Sequence, residues 1–381
     1  MGEVDQWARI HQDMLNQITK RLYSYDDYLQ LRLVCKEWNF KLPKIPNGIK
    51  APWLLLPIGG TPTAREPFKA GEDVYHITQL SNIDEESVDT SSLDEKGIYH
   101  LKLADLQYNL IRGSCHGWLI IVSIYEGTIR MLNPLTKAYL DLPPISTLFW
   151  KVVINSAPIN DNNNDFMAVA IYGACNLAFY KSNNKRWLKL PTSADATTYF
   201  QDVIFFQEKI YAVDDDGQLY EFDTKTKTGP VGIIHEAAPP SDVVTQGEIS
   251  NLKYLIGCAD GSLLMVVRHL RNLMEHDEKR SYETIKFDIY KLEKNANTWS
   301  RITSLGNYVL VIGFNASVQM LAGDFSNCKG NQIFFTDNFV EDQSLNVVYY
   351  HNIGIFNLED ESCQTVLSDV NFFSPPVWIF L

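Results

Sequence analysis

Short apolar or alternating runs recur between turn residues along most of the chain, from Pro46 to the C-terminus. They are rich in the β-branched and aromatic residues that fit a pleated sheet. Helical spacing is nearly absent from this stretch, so the runs predict buried strands. The six clearest runs are Trp53–Leu56, Trp118–Val122, Phe166–Tyr172, Val203–Phe206, Leu263–Val267 and Ile333–Phe335.

A weak internal repeat organises these runs. A strand is followed by an alternating run, and the unit ends near a Trp or a Leu-Pro pair, as in Leu177–Pro191. Four-stranded units of about 40–50 residues are typical of a β-propeller, in which neighbouring units pack around an axis. The length fits about six blades, and either Pro376–Leu381 or the Trp53 strand is a candidate to close the ring. An irregular pair of β-sandwiches is the alternative architecture.

Residues 6–42 have a different pattern, which predicts three short helices. Met14, Leu15, Ile18 and Leu22 fall on one helical face, and Pro43 follows as a helix terminator. A segment of this size rarely forms a stable core by itself. We therefore expect its apolar face to pack against a partner protein or against the C-terminal domain of its own chain.

Charge and composition exclude several classes of protein. The net charge is -13, and residues 1–42 are neutral, so the remainder carries all of it with 27 basic against 40 acidic residues. A field of that sign repels phosphate backbones, so nucleic acid is not an expected partner.

The six Cys residues are widely spaced, which fits neither a zinc site nor a disulfide framework and indicates reduced thiols. No stretch approaches the ~20 apolar residues that span a bilayer, and no signal peptide is recognisable, so we expect a nuclear or cytoplasmic protein without membrane contact.

Three motifs superficially suggest chemistry. Gly113–Gly117 has the G-x-C-x-G outline of a nucleophile elbow around Cys115, but a strand pattern follows it where an elbow needs a helix. Asp214–Gly217 lacks calcium-loop spacing and predicts a hairpin turn. The polar stretch Arg268–Arg280, with two His residues, predicts an exposed loop or short helix. We therefore expect no catalytic residue, no metal site and no cofactor.

The helical segment resembles an F-box. The residues that carry the resemblance form two ordered groups: Trp7, Ile10, Asp13, Met14, Leu15, Ile18, Arg21 and Leu22, then Asp26, Arg32, Val34, Cys35, Lys36 and Trp38. One departure is the Leu-Pro pair that opens the family motif, which is Ile10-His11 here. His in place of Pro removes a fixed φ at the helix entrance, and this bears on partner affinity.

The resemblance implies a role in protein degradation. An F-box binds a Skp-family adaptor, which joins it to a cullin scaffold. Trp38 is the expected hot spot, because a buried indole contributes strongly to an interface. The implied contact or supporting residues are Ile10, Met14, Leu15, Ile18, Leu22, Val34, Cys35 and Trp38.

The remainder of the chain is similar to the β domain of a large group of plant F-box proteins, the KIB type. The similarity lies in Gly113-Ser114, Gly117-Trp118-Leu119, Leu132-Asn133-Pro134 and Leu142-Pro143. It implies a kelch-like propeller that recruits a target protein. We thus expect an F-box at 6–45 and a recognition domain at 50–381, together forming a non-catalytic substrate receptor of an SCF-type ubiquitin ligase. The alternative is a propeller scaffold with a degenerate F-box.

Overall fold

A computed structural model gives the architecture of the protein. It describes residues 10–19, 25–42, 53–57, 74–79, 98–102, 109–123, 127–134, 136–145, 147, 149–158, 166–173, 176–182, 184, 186–191, 198–225, 231–234, 249–274, 280–293, 298–324, 328–336, 352–367 and 377–379. In these residues, no helix is both long and apolar enough to cross a membrane.

The described part of the chain begins with three short helices: α1 (Gln12–Thr19), α2 (Tyr25–Leu33) and α3 (Lys36–Lys41). The start of α1 is tied to the end of α3, because Lys41 Nζ donates to the Ile10 carbonyl at 2.8 Å and Gln12 Nε2 donates to the Lys41 carbonyl at 3.2 Å. Among the described residues, the helices lie within 6–45 and the strands lie within 50–381. The domain boundaries themselves stay predictions.

The described strands form six antiparallel or mixed sheets, which we name A to F. Sheets B to E each consist of four consecutive strands: B of β4 (Asn109–Cys115), β5 (Trp118–Ser123), β6 (Ile129–Leu132) and β7 (Tyr139–Leu142); C of β8 (Phe149–Ile154), β9 (Met167–Tyr172), β10 (Asn176–Lys181) and β11 (Leu188–Lys189); D of β12 (Phe200–Phe206), β13 (Lys209–Asp214), β14 (Leu219–Asp223) and β15 (Val231–Ile234); E of β16 (Ile249–Gly257), β17 (Leu263–Met274), β18 (Arg280–Glu293) and β19 (Thr298–Ile302).

The other two sheets depart from this simple order. Sheet A contains β1 (Trp53–Pro57), β2 (Val74–Gln79) and β3 (Ile98–Lys102), and the C-terminal strand β25 (Val377–Ile379) joins it beside β1. Sheet F has five strands in the order β21 (Ser317–Leu321), β20 (Tyr308–Ile312), β22 (Gln332–Phe335), β23 (Ile353–Asn357) and β24 (Cys363–Leu367). A 3-10 turn at Ala322–Asp324 follows β21.

The sheets contact one another in the order A to F and back to A. One edge strand of each sheet lies inside the ring, and β25, β4, β8, β12, β16 and β21 follow one another there. The apolar core is divided among the interfaces between adjacent sheets, as in the B–C cluster around Phe149 and the C–D cluster around Phe222. Such a ring is a propeller, not a pair of sandwiches. Each of the six runs predicted as strands coincides with a strand, apart from Phe166, which directly precedes β9. This confirms that part of the sequence prediction.

The prediction for Arg268–Arg280 was wrong. Strand β17 runs on through Met274, and Arg268 is fully buried rather than exposed. The reason lies in contacts that are distant in sequence. The Arg268 guanidinium donates to Thr284 Oγ1, to the Thr336 carbonyl and to Asn352, which together replace the water that the charge would otherwise need.

Candidate interaction surfaces

The predicted adaptor-binding residues divide into buried and exposed groups. Leu15 and Trp38 are 0% and 5% exposed, whereas Met14 and Val34 are 61% and 59% exposed. Ile10, Ile18 and Cys35 are partly buried, and Leu22 lies outside the described residues. The set therefore does not form one continuous surface. Its exposed members can contact a partner directly, and its buried members support the helices.

Two further apolar residues of the helical segment are exposed like Met14 and Val34. Leu33, at the end of α2, is 71% exposed, and Phe40, in α3, is 94% exposed. Sequence reasoning missed both, because Leu33 falls between positions of the F-box motif and Phe40 falls beyond it. We call Met14, Leu33, Val34 and Phe40 the exposed helical face. Four apolar side chains exposed on one short helical segment are a feature that a partner protein would cover.

The buried side chains of the helices connect them to the propeller. Leu15, Tyr28, Trp38 and Leu42 share one apolar cluster with residues of sheets A and B, namely Leu55, Ile111, Leu119, Ile121, Val377 and Ile379. Cys35 Sγ accepts a hydrogen bond from the Trp38 amide at 3.4 Å and so caps α3. Trp38 thus packs inside the chain and helps to hold the helices in place.

His11, the residue that replaces the family's Pro, is accommodated at the start of α1. Its carbonyl accepts hydrogen bonds from the amides of Met14 and Leu15 at 3.1 and 3.2 Å. Its ring is exposed, and Nδ1 lies 3.2 Å from a carboxylate oxygen of Asp13. The helix therefore begins at the expected place without the fixed φ of proline.

The second surface lies at the centre of the propeller. Three consecutive inner strands have a register irregularity near the same position: β4 at Arg112, β8 at Trp150 and β12 at Gln201. A bulge re-aims the side chain of the extra residue. Arg112 of sheet B contacts Phe314, which precedes β21 in sheet F, although sheet A separates those two sheets along the ring. Arg112 and Phe314 therefore meet across the centre of the ring.

Arg112 occupies an unusual environment. Its side chain is 1% exposed, and its guanidinium carbon lies 5.6 Å from the Trp150 ring centroid and 5.3 Å from that of Phe314. Burial lowers the pKa of Arg112 to about 10. Its Nε has no hydrogen-bond partner, and no ion pair joins it to a carboxylate of the described residues. We call Arg112, Trp150 and Phe314 the mouth cluster.

A neighbouring buried charge pair is fully satisfied. Lys151 Nζ lies 2.5 Å from Asp202 Oδ1, and both side chains are almost completely buried. The amides of Val203 and Leu255 also donate to Asp202, each at 2.7 Å. This carboxylate consequently joins sheets C, D and E. Lys151 is therefore committed to the fold and is not available to a ligand.

The motifs that suggested chemistry are structural. His116 and Gly117 have φ values of 52° and 77° and form the tight turn between β4 and β5. The Cys115 thiol accepts a hydrogen bond from the Ile154 amide at 3.3 Å, and burial raises its pKa to about 11, so it is a poor nucleophile. Asp214–Gly217 is the turn between β13 and β14, as predicted, with Asp214 accepting from the Gln218 amide.

Comparison with known proteins fits this architecture. The model of the KIB1-4 beta-propeller matches residues 90–357, which is well over half of the chain. The chain belongs to the KIB1-4 β-propeller family. The match covers sheets B to E completely and includes the mouth cluster, but it does not include the three helices.

Relatives in Arabidopsis thaliana extend the similarity to the helices. "F-box protein SKIP23" is 21% identical, with 98% of this chain and 95% of that protein aligned. "Putative F-box protein At3g25750" is 21% identical over 94% of this chain and 93% of its own length. "Putative F-box protein At5g60060" is 24% identical, and the match spans only 57% of its length. These matches and the family assignment confirm the resemblance to plant F-box proteins with a propeller domain.

Solved structures are more distant. The N-terminal domain of Nup159 superposes with a TM-score of 0.35 at 13% identity, over 76% of this chain and 83% of that one. A similarity this low assigns no function to the KIB1-4 propeller of this chain.

Proposed function

We propose that this chain is the substrate-receptor subunit of an SCF-type ubiquitin ligase. The exposed helical face would bind a Skp-family adaptor, and the propeller would hold a target protein. The observation that carries the proposal is the exposed helical face itself, since four apolar side chains are 59% to 94% exposed in a helical segment that resembles an F-box.

In this role the chain performs no chemistry of its own. Ubiquitin transfer belongs to other subunits that a cullin scaffold brings together, in the nucleus or the cytoplasm. The receptor acts by raising the effective concentration of target lysines near the conjugating enzyme that carries ubiquitin. The unreactive Cys115 and the structural Asp214 turn are consistent with a non-catalytic subunit.

Co-purification with a Skp-family adaptor tests the proposal. The informative variant is Met14→Glu/Val34→Glu, because both residues are exposed and the changes leave the buried core intact. We expect at least about tenfold weaker adaptor binding, since the variant places charges in an apolar contact. Leu15→Ala or Trp38→Ala is less suitable, because each truncates a buried side chain and would cost about 2–5 kcal/mol of stability.

The matched control is Thr303→Glu/Thr365→Glu. It adds the same charge to exposed positions in or beside sheets E and F, which share no apolar cluster with the helices among the described residues. It should bind like the parent. If the control loses as much affinity as the test variant, charge repulsion and not the exposed helical face explains the result.

A scaffold without ligase function is the second candidate. It is favoured by the cluster that buries Leu15, Tyr28 and Trp38 together with propeller residues, because helices held by their own chain need no adaptor. The same experiment decides between the two. A folded parent that binds none of the adaptors of its own organism supports the scaffold and refutes the receptor.

A further inference from the structure

Arg112 stands apart from the other buried cations of the propeller. In the described part of the chain, four basic side chains are buried: Arg112, Lys151, Lys253 and Arg268. Lys151 pairs with Asp202, Lys253 donates to the Asp215 carbonyl, and Arg268 makes several hydrogen bonds. For Arg112, the described residues supply the rings of Trp150 and Phe314 but no hydrogen-bond partner for Nε. A buried charge without an anion destabilises a fold, so a fold that keeps one needs another reason.

The position of Arg112 supplies such a reason. It lies at the centre of the ring, where the inner strands of different sheets converge, and one of its two covering rings, Trp150, is 39% exposed. On this side, therefore, the Trp150 ring is what separates the Arg112 guanidinium from solvent. Central openings of β-propellers offer concave sites of this kind.

We propose that the mouth cluster binds a carboxylate of the target protein, with the Arg112 guanidinium as its counter-charge. This inference rests on the proposed function, because it names what the propeller holds. The planar guanidinium matches a carboxylate through two parallel hydrogen bonds. The rings of Trp150 and Phe314 would exclude water from the pair and strengthen it.

A carboxylate suits the site better than a phosphate. The other buried basic groups of the described inner strands, Lys151 and Lys253, already bind Asp202 and the Asp215 carbonyl. A single guanidinium balances one negative charge and not two. The net charge of -13 also opposes the approach of a dianion more strongly than that of a monoanion.

Entry to the site requires one ring to move. The Trp150 indole N–H donates to the Gly173 carbonyl at 2.7 Å, and this bond fixes its ring. Phe314 is partly exposed and has no polar group to anchor it. Phe314 is therefore the ring that swings aside when a carboxylate reaches Arg112.

An array of short synthetic peptides, probed with the full-length chain, tests the proposal. Each peptide with an Asp or Glu is paired with its Asn or Gln form, with a phosphoserine form, and with versions bearing a free or amidated C-terminus. We expect peptides with a carboxylate to bind at least about 30-fold more tightly than their neutral forms. The side-chain and C-terminal pairs show which source of carboxylate is used. No binding of acidic peptides, or a preference for phosphoserine, overturns the proposal.

The variants Arg112→Met and Arg112→Lys identify the residue responsible. Arg112→Met should abolish the preference for carboxylates, and Arg112→Lys should retain only part of it, because an ammonium lacks the planar fork. Thermal unfolding separates binding from folding. If Arg112 serves a ligand, Arg112→Met unfolds at the same temperature as the parent or higher; a lower temperature with unchanged peptide binding assigns Arg112 to the fold and overturns the proposal.

The adaptor experiment is independent of this one. Arg112→Met leaves the helices untouched, so it should co-purify with a Skp-family adaptor as the parent does. Loss of peptide preference with adaptor binding retained counts for the mouth cluster. Failure of adaptor binding in the parent counts only against the proposed function, since the peptide array contains no adaptor.

Discussion

Asp288 shows how a single buried residue of the propeller is stabilised by its neighbours. Its carboxylate is 2% exposed and lies on β18, with His269 Nε2 at 2.8 Å, Lys286 Nζ at 3.0 Å and the Arg301 guanidinium in direct contact. Burial by itself would raise the pKa of this carboxyl, but the surrounding partners outweigh it and lower the pKa to about 2. The charged form of Asp288 therefore stabilises the folded state.

This shift predicts a defined dependence of stability on pH. The folded-state pKa lies below the unfolded value of about 3.9, so the contribution of Asp288 is present above that value and is lost as the pH falls towards 2. Asp288→Asn should lower the free energy of unfolding by about 2–3 kcal/mol at neutral pH. Urea unfolding across this pH range should show the difference from the parent shrinking on acidification.

Asp141→Asn is the control for Asp288→Asn. Asp141 also pairs with an arginine, Arg130, at 2.7 Å, but both side chains are about half exposed. Exposed pairs contribute about 0–1 kcal/mol. A difference between parent and Asp288→Asn that stays constant from neutral pH to pH 2 would contradict the assignment.

At the scale of elements, the strands were predictable because their signal is local. Runs such as Trp118–Val122 are apolar over the length of a strand, and the turn residues beside them limit their ends. The bulges at Arg112, Trp150 and Gln201 were not predictable, since a bulge depends on how neighbouring strands meet. For the same reason the sequence could not identify Arg112 as part of a site.

The close approach of β4 and β8 supplies a prediction for Gly113. A Cβ at this position would lie 2.0 Å from the Val152 carbonyl oxygen, which belongs to the backbone and cannot turn away. Gly113→Ala should therefore cost about 1–3 kcal/mol, the usual cost of overpacking a core. The change should also alter the contact between sheets B and C. Urea denaturation will measure the loss in free energy of unfolding.

Gly323→Ala is the matched control for the same substitution. A Cβ added at Gly323 meets nothing within 4 Å, and this residue lies in the 3-10 turn after β21. The substitution should be neutral or should stabilise by about 0.4–1 kcal/mol, because alanine restricts the unfolded chain. Equal losses in the two variants would show that the contact with Val152 is not the cause.

At the scale of the whole molecule, the ring depends on two segments that are far apart in sequence. Leu54 of β1 pairs with Trp378 of β25, so the beginning and the end of the β domain share sheet A. The apolar character of both segments made each a candidate for closure. Their pairing with each other was not predictable, because single-sequence patterns do not specify which strands are neighbours.

Trp378 anchors this closure on sheet F. Its indole N–H donates to the Ile312 carbonyl at 2.9 Å, and Asn315 bonds both the amide and the carbonyl of its backbone. Its side chain is 1% exposed among Leu54, Val309 and Phe334. The C-terminal strand therefore joins sheets A and F.

Truncation after Pro376 should consequently destabilise the entire propeller and not only its end. Removing β25 exposes β1 and breaks the ring, whereas an open row of sheets would lose only its last unit. We expect one cooperative unfolding transition at lower urea, with faster amide exchange in β12 on the far side of the ring. Trp378→Ala should act in the same direction by about 3–5 kcal/mol, and Tyr139→Ala, at a 65% exposed position of β7, should change little. Faster exchange confined to β1 and β20 would show that the sheets are stabilised separately and that the ring does not act as one unit.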